Sequence, residues 1–581
     1  MRNAPIRIRL LALAITAAAP ISLFAQQGGA PKELPVKYSG PPTTAAITAA
    51  DLMTRLYIYA DDSMMGRQAG TEYNMKATSY IEREVRRLGL EPAGDSGGFF
   101  QYLPVFARGL DTTSTVTIDG STFKVGVDFT AGSGGRRPRQ LSGAQVVWGG
   151  IRFDTANVLS PDAVRGKILL LRPFIPPPNF NSGPFVQSSG FKAFEALLAA
   201  AEAVAIVTWD QIPPAVLKNA INPQNVTFAS EDESRISLNV TMKLAEAMLG
   251  SPLASATKGA VGKAVTSNIR FVDAPRPTRN VVAILPGSDP RLKGEYVAIG
   301  AHNDHVGFRP SNPVDHDSLR AFMQVVLPQG ADSRRRTPTA DEAARVRAMT
   351  DSLHKLHPAR LDSIFNGADD DGSGTVSVLE IAEAFAKGKP GPKPKRSILF
   401  IWHVGEELGL WGSQWFTDHP TVARDSIVAE LNMDMVGRGG TNDVTGESKD
   451  GGLLHGGPGY LQLVGSRRLS TELGDLIEKV NADSRLGLRF DYRMDANGHP
   501  QNIYCRSDHY EYARYGIPIV FFTTGGHADY HQVTDEPQYI DYDRMAQVAK
   551  LVYESELKVA TLDKRPAVDK PKPDPKGTCV Q

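Results

Sequence analysis

Tyr296-Val297-Ala298-Ile299-Gly300-Ala301-His302-Asn303-Asp304-His305 joins a short apolar run to a cluster of imidazoles and a carboxylate. A continuous apolar run of this length reads as a strand buried on both faces, as in a parallel sheet between helices. Polar residues directly after it fall at the strand's C-terminal end, the edge where open α/β sheets bind ligands. The same pattern recurs outward from this stretch. Residues 280–285, 397–402, 426–431 and 517–522 predict further strands, and helical segments separate them. The expected fold class is therefore α/β, with a mostly parallel sheet covered by helices on both faces.

Other segments follow different rules. Residues 71–88 predict an amphipathic helix, with Thr71 as N-cap, Thr78, Ile81, Val85 and Leu88 on one face and Gly89 as its stop. From about 112 to 271 short β-like runs alternate with Gly and Pro, interrupted by a helix over 191–201. This predicts a β-rich unit, placed at 125–268, inserted into an α/β domain made of 46–124 and 269–564. Residues 308–366 read as a charged insertion whose middle, 341–356, is a solvated helix. The Pro/Lys-rich stretch 565–581 reads as a disordered tail.

At 581 residues the chain exceeds one ordinary core. Lys+Arg and Asp+Glu both total 64, so no global field recruits nucleic acid or an anionic membrane. Arg2, Arg7 and Arg9 precede an apolar run over 10–19, and a cleavage point follows Ala25. This predicts a signal peptide over 1–25, a linker over 26–45 and an exported protein, periplasmic or secreted. No later run approaches the ~18 apolar residues of a membrane span. Cys505 and Cys579, far apart in the chain, leave their pairing open.

Four further motifs fall at or just beyond strand ends: Asp369-Asp370-Asp371, Glu406-Glu407, Asn432-Met433-Asp434-Met435 and Tyr530-His531. A lone buried His is usually a satisfied core residue, and a Glu pair is usually a solvated face. Glu406 and Glu407, however, sit between an apolar strand and Leu408-Gly409-Leu410-Trp411, a poor place for unpaired charge. Two imidazoles and three carboxylates suit two zinc ions sharing one carboxylate. Of two adjacent acids at a strand end, one can ligate while the other takes a proton. A competing pattern overlaps the second motif: Asp369, Asp371, Ser373, Thr375, Ser377 and Glu380 match the ligand spacing of an EF-hand calcium loop, with Gly374 at its glycine position. That reading is disfavoured, because EF-hands normally pair and no second loop exists.

The order Ala-His-x-Asp-His, Gly-Ala-Asp-Asp-x-x-Ser-Gly, Glu-Glu-x-Gly, Asn-Met-Asp-Met, Ser-Asp-His and Tyr-His-x-x-x-Asp resembles the bacterial aminopeptidase and glutamate carboxypeptidase family of co-catalytic zinc exopeptidases. The resemblance runs from about 66 to 556. It implies that His302 and Asp434 bind one zinc, Glu407 and His531 the other, and that Asp370, four residues before Gly374, bridges them. It further implies Glu406 as general base toward a zinc-bound hydroxide, Asp304 as the acid orienting His302, and Tyr504 as stabiliser of the oxyanion. Residues 164–171 and 203–207 resemble a protease-associated domain. The implied substrate is a peptide or small aminoacyl compound, with aminopeptidase ahead of carboxypeptidase. The remaining alternatives are a calcium-binding module, a non-catalytic receptor-like relative, which predicts lost ligands although none is missing, and a single-zinc acyltransferase. Side-chain preference and oligomeric state are not legible.

Overall fold

The computed structural model describes residues 34–177, 185, 188–222, 226–228, 233–356, 358–388 and 391–581. The expected signal peptide and the start of the linker lie outside them.

The central sheet contains β1 (Glu91–Pro92), β2 (Phe100–Tyr102), β3 (Arg279–Leu285), β4 (Tyr296–His302), β5 (Ser397–His403), β6 (Ile427–Met433), β7 (Tyr460–Val464), β8 (Arg489–Asp491) and β9 (Ile519–Thr523). Their order is β1-β3-β5-β4-β6-β9-β7-β8, with β2 also paired to β3. The strands β5, β4, β6 and β9 run parallel. The pairs β3–β5 and β7–β9 are antiparallel, so the mostly parallel sheet expected from sequence is a mixed one with a parallel centre. The reason lies in the connection from β3 to β4. Parallel strands need a crossover of a dozen or more residues, and the short segment 286–295 holds no helix.

Alternation along the central strands supplies two cores. Val297, Ile299 and Ala301 of β4 and Ile398, Phe400 and Trp402 of β5 pack with residues of helices Ala49–Tyr59, Glu72–Leu88, Gly374–Lys387 and Tyr542–Thr561. Ala298, Leu399 and Ile401 face the other way, toward Phe416, Tyr510 and Tyr512. Both faces are therefore closed, and the polar loops collect at the strand ends. The expected helix over 71–88 is Glu72–Leu88, capped by the Thr71 side chain and stopped at Gly89, whose φ of 79° suits glycine.

A second, eight-stranded sheet holds Thr115–Ile118, Ser121–Lys124, Phe129–Ser133, Ser142–Ile151, Ile168–Arg172, Ala203–Trp209, Ile236–Thr241 and Val261–Asn268 around its own core. The boundary expected at 125 falls inside this sheet, because Thr115–Ile118 and Ser121–Lys124 pair into it. A three-stranded ribbon of Val105–Leu110, Val226–Phe228 and Phe271–Pro275 packs Phe228 on Trp411 and Trp415, at 5.9 and 5.8 Å between ring centroids.

Within 308–366 the helix Ala340–Leu353 is solvated along its whole length and carries a capping box between Thr339 and Glu342. A second helix, His316–Val326, buries His316, Asp317, Ala321, Met323 and Val326. The tail is not disordered. Cys579 is disulfide-bonded to Cys505, and the Gln581 side chain accepts from the Tyr504 N–H at 3.0 Å. Composition cannot foresee a covalent tie that offsets the chain entropy of a Pro/Lys segment. Among the described residues no helix is long and apolar enough to cross a membrane.

Candidate metal centre

Four elements deliver the site. β4 ends on His302, and the turn after it carries Asp304 and His305. β5 ends on His403 and turns through Gly405, at φ 76°, into Glu406-Glu407. β6 ends on Met433, directly before Asp434. The loop after β9 presents His531 at φ 55°, a left-handed conformation that non-glycine residues rarely adopt and that clusters at functional sites.

Asp370 stands in the middle. Its Oδ1 is 3.1 Å from His302 Nε2, and its Oδ2 is 2.9 Å from His531 Nε2. Glu407 Oε2 is 2.9 Å from His531 Nε2, and Asp434 Oδ1 is 3.7 Å from His302 Nε2. Two donor sets result, His302–Asp370–Asp434 and His305–Asp370–Glu407–His531, each with ligand atoms within 4.8 Å of one another. Asp370 belongs to both, one oxygen toward each.

The three consecutive aspartates have separate partners. Asp369 accepts from the Gly437 N–H at 2.6 Å and lies 3.2 Å from His527. Asp371 accepts from the N–H groups of His302 at 3.0 Å and Gly374 at 2.8 Å. The backbone N–H groups of Asp369 and Asp370 both donate to Asp535, which fixes the turn. Only the Asp370 side chain is left for the centre. Glu380, the would-be closing ligand of the calcium loop, is buried against Arg55 Nε at 2.8 Å instead.

Buried Nε2 of His302, Oδ2 of Asp370 and Oδ1 of Asp434 make no hydrogen bond. Unpartnered buried nitrogen and oxygen atoms converging on one gap are costly unless a cation fills it, and N/O donors of this kind suit zinc. The residues thus fit the implied metal. Electrostatics agrees. Burial raises the Asp370 pKa, but contact with His302 and the charges of His305 and His531 outweigh it and hold the group well below the usual range. Burial pushes Glu406 well above the carboxylate range, aided by Asp434, Glu407 and Asp508 and opposed by His302. Neighbouring acids with divergent pKa values are a signature of divided roles.

Two expected roles need correction. Asp304 Oδ1 accepts from the N–H groups of Gly405 at 2.7 Å and Glu406 at 3.2 Å, whereas His302 Nδ1 is 3.7 Å away. Its tightest hold is on the Glu406 turn, with His302 oriented instead toward the Asp304 carbonyl at 3.2 Å. Tyr504 is buried beside Tyr510 with Arg468 over its ring at 4.6 Å, and it does not line the cavity at the centre. A side chain two residues from Arg506 turns to the core because the short helical turn Ile503–Cys505 rotates it there.

The cavity is walled by Met435, Met494, Ile503 and Phe521 and ends on Asp370, Glu406 and Asp434. The charged insertion reaches it through Gln329 and Asp332. Arg506 donates to Asp332 at 2.8 and 3.1 Å and to the Tyr530 hydroxyl at 3.2 Å. His305, Arg506 and Asp332 were not singled out from sequence. For His305 the motif Ala-His-x-Asp-His carried a signal; for Asp332 nothing local did.

A model of Peptidase family M28 matches residues 280–555, the stretch that holds every donor described above. The match covers a little less than half of the chain, and that stretch is similar to this family. Two curated relatives are a probable leucine aminopeptidase of Trichophyton verrucosum, 27% identical over 43% of this chain and 61% of its own length, and leucine aminopeptidase 1 of Ajellomyces capsulatus strain G186AR, 32% identical over 36% and 51%. The chain thus spans about half to three-fifths of the length of these relatives. Among solved structures, a zinc aminopeptidase from Bacillus subtilis is 18% identical, with 88% of this chain and 95% of that one covered at a TM-score of 0.43.

Proposed function

We propose that the chain is an exported di-zinc exopeptidase of aminopeptidase type. The observation that carries this reading is the division of the Asp370 oxygens between two donor sets. Bound zinc would supply Lewis acidity and a water acidified toward neutral pH. The chain's own residues do the rest. Glu406, at the acid end of the cavity, takes a proton on its carboxylate and returns it to the leaving amine. Glu407, His531, His302 and Asp434 hold the donor sets in place, and Asp304 fixes the Glu406 backbone.

Recognition of an amino terminus is favoured by charge. A carboxypeptidase needs a cation for the substrate carboxylate, and among the described residues lining the cavity the single cation, Arg506, is already paired with Asp332. The Met435, Met494, Ile503 and Phe521 wall suits an apolar side chain, as the leucine aminopeptidase relatives' names also suggest. Export is supported by the charged-then-apolar start of the chain and by the Cys505–Cys579 bond, which persists in oxidising compartments. The β-rich unit is assigned as a protease-associated module.

The test is metal content with activity. Purified protein should hold about two zinc ions per chain, and chelation should abolish hydrolysis of an aminoacyl amide until zinc is restored. Asp370→Asn should lose both ions, because its carboxylate serves both sets. One tightly held ion in fully active protein overturns the di-zinc reading.

A further inference from the structure

We propose that a second cavity, beside the metal centre, binds a carboxylate carried by the leaving peptide, so that short peptides with a free carboxyl end are the preferred substrates. This rests on the aminopeptidase reading and concerns the far side of the bond that is cut.

The charged insertion builds this cavity, which holds about 530 Å³. His531, whose imidazole meets Asp370 and Glu407 at the centre, also lines it. The turn over 329–333 divides the two cavities: Gln329 and Asp332 line the first, and Gly330, Ala331 and Ser333 line the second. The Ala331 N–H donates to the Tyr530 carbonyl at 3.1 Å, and a Cβ on Gly330 would come within 2.5 Å of the same oxygen. Glycine, here at φ 59°, thus lets the insertion close on the loop that carries His531. With the amino end of a peptide in the first cavity, the leaving side falls to the second.

The lining of the second cavity carries charge of one sign. Arg309, Arg335 and Arg336 belong to it, and no Asp or Glu does among the described residues. Arg336 is held by Glu342 at 2.6 and 2.7 Å. Arg309 and Arg335 have no ion pair among the described residues, and the Arg309 guanidinium is set over the Phe365 ring, 4.8 Å from its centroid. Phe322 and Met323 of the helix His316–Val326, with Leu327 and Phe365, supply an apolar wall. Two uncompensated guanidinium groups on such a wall attract an anion more strongly than in open water, and their planar forks match a carboxylate. Arg506 in the first cavity differs, because Asp332 neutralises it. A cavity of this volume is about 8 Å across, room for two or three extended residues at ~3.3–3.6 Å each.

The experiment uses the full, zinc-loaded chain and peptides that differ only at the carboxyl end, Leu-Ala-Ala as the free acid and as its amide. The free acid should be preferred at least ~10-fold in kcat/KM through a lower KM, the scale of one charge-assisted hydrogen bond. That preference should fade in peptides of about ten residues, whose ends pass beyond the cavity, and shrink in ~1 M salt. Arg309→Gln with Arg335→Gln, both at exposed positions, should bring the acid-to-amide ratio near one, and Arg309→Lys with Arg335→Lys should restore part of it. An amidated Leu-Ala-Asp that matches the free acid supports the cavity and assigns the carboxylate to a side chain. Equal kcat/KM for acid and amide in the unaltered protein overturns the proposal and leaves the aminopeptidase reading standing, as does a preference that survives both Gln replacements. No chelator-sensitive release from either peptide or from an aminoacyl reporter amide overturns that reading and the proposal with it.

Discussion

Glu406 and Glu407 are adjacent in sequence yet face different partners. Glu407 meets His305 and His531 at 2.7 and 2.9 Å, while Glu406 lines the cavity and makes no ion pair among the described residues. Glu406→Gln should keep its metal and lower kcat by at least ~10²-fold, because an amide cannot accept the proton. Glu407→Gln should instead lower zinc content, read by elemental analysis. Exchanged phenotypes would reverse the assignment within the pair. At this scale the gathering of His302, Asp370, Glu407, Asp434 and His531 was legible because their motifs follow one another in a fixed order near predicted strand ends, whereas the choice of Asp370 among three aspartates came from the family resemblance alone. His305 and Tyr504 were not. Both sit in motifs, and only the turn geometry around Gly367 and Ile503–Cys505 decides that one ring faces the centre and the other the core.

The helix Gly374–Lys387 connects the Asp369–Asp371 turn to a buried charge network. Arg55, on the helix Ala49–Tyr59, pairs with Glu380 at 2.8 Å, with Glu84 at 2.8 Å and with Glu383 at 2.5 Å. Burial pushes Glu380 up to about 7, opposed by Arg55 and reinforced by Asp51 and Glu383. A group whose folded pKa is raised binds its proton more tightly in the folded state. Its contribution is fully present below the unfolded value, near 4.5, and is lost as pH rises toward 7. The loss is on the order of 3 kcal/mol at most. Glu380→Gln should remove that slope, so denaturation midpoints of the variant should fall less than those of the unaltered protein between pH 5 and 7 (~2 units, within the titrating window). An unchanged slope would place the titration elsewhere. The strands and the solvated helix over 340–353 were legible from periodicity and charge. The helix His316–Val326 was not, because its buried His316 finds its partner, Glu536, at 3.0 Å and over two hundred positions away.

In the whole molecule, long-range ties bring separate stretches of sequence to one edge of the central sheet. Phe228, from the ribbon beside the second sheet, packs on Trp411 and Trp415, just after the Glu406 turn. The Cys505–Cys579 bond, across 74 positions, pins the tail beneath Arg506 and Ser507. On the loop-entropy account such a bond is worth about 4 kcal/mol. Reduction should lower the thermal midpoint, and activity should decline before global unfolding, since Arg506 and Ser507 lie next to Cys505. A midpoint indifferent to reductant would show the bond to be idle. The tail was illegible in the sequence because composition reports solvation tendency and not covalent partners. The proposed function has this centre cut at an amino terminus. It is tested most directly by offering the purified, zinc-loaded protein an aminoacyl reporter amide beside an N-blocked peptide with a free carboxyl end. Rapid, chelator-sensitive release is expected from the first and none from the second. Cleavage of the blocked peptide alone would contradict it.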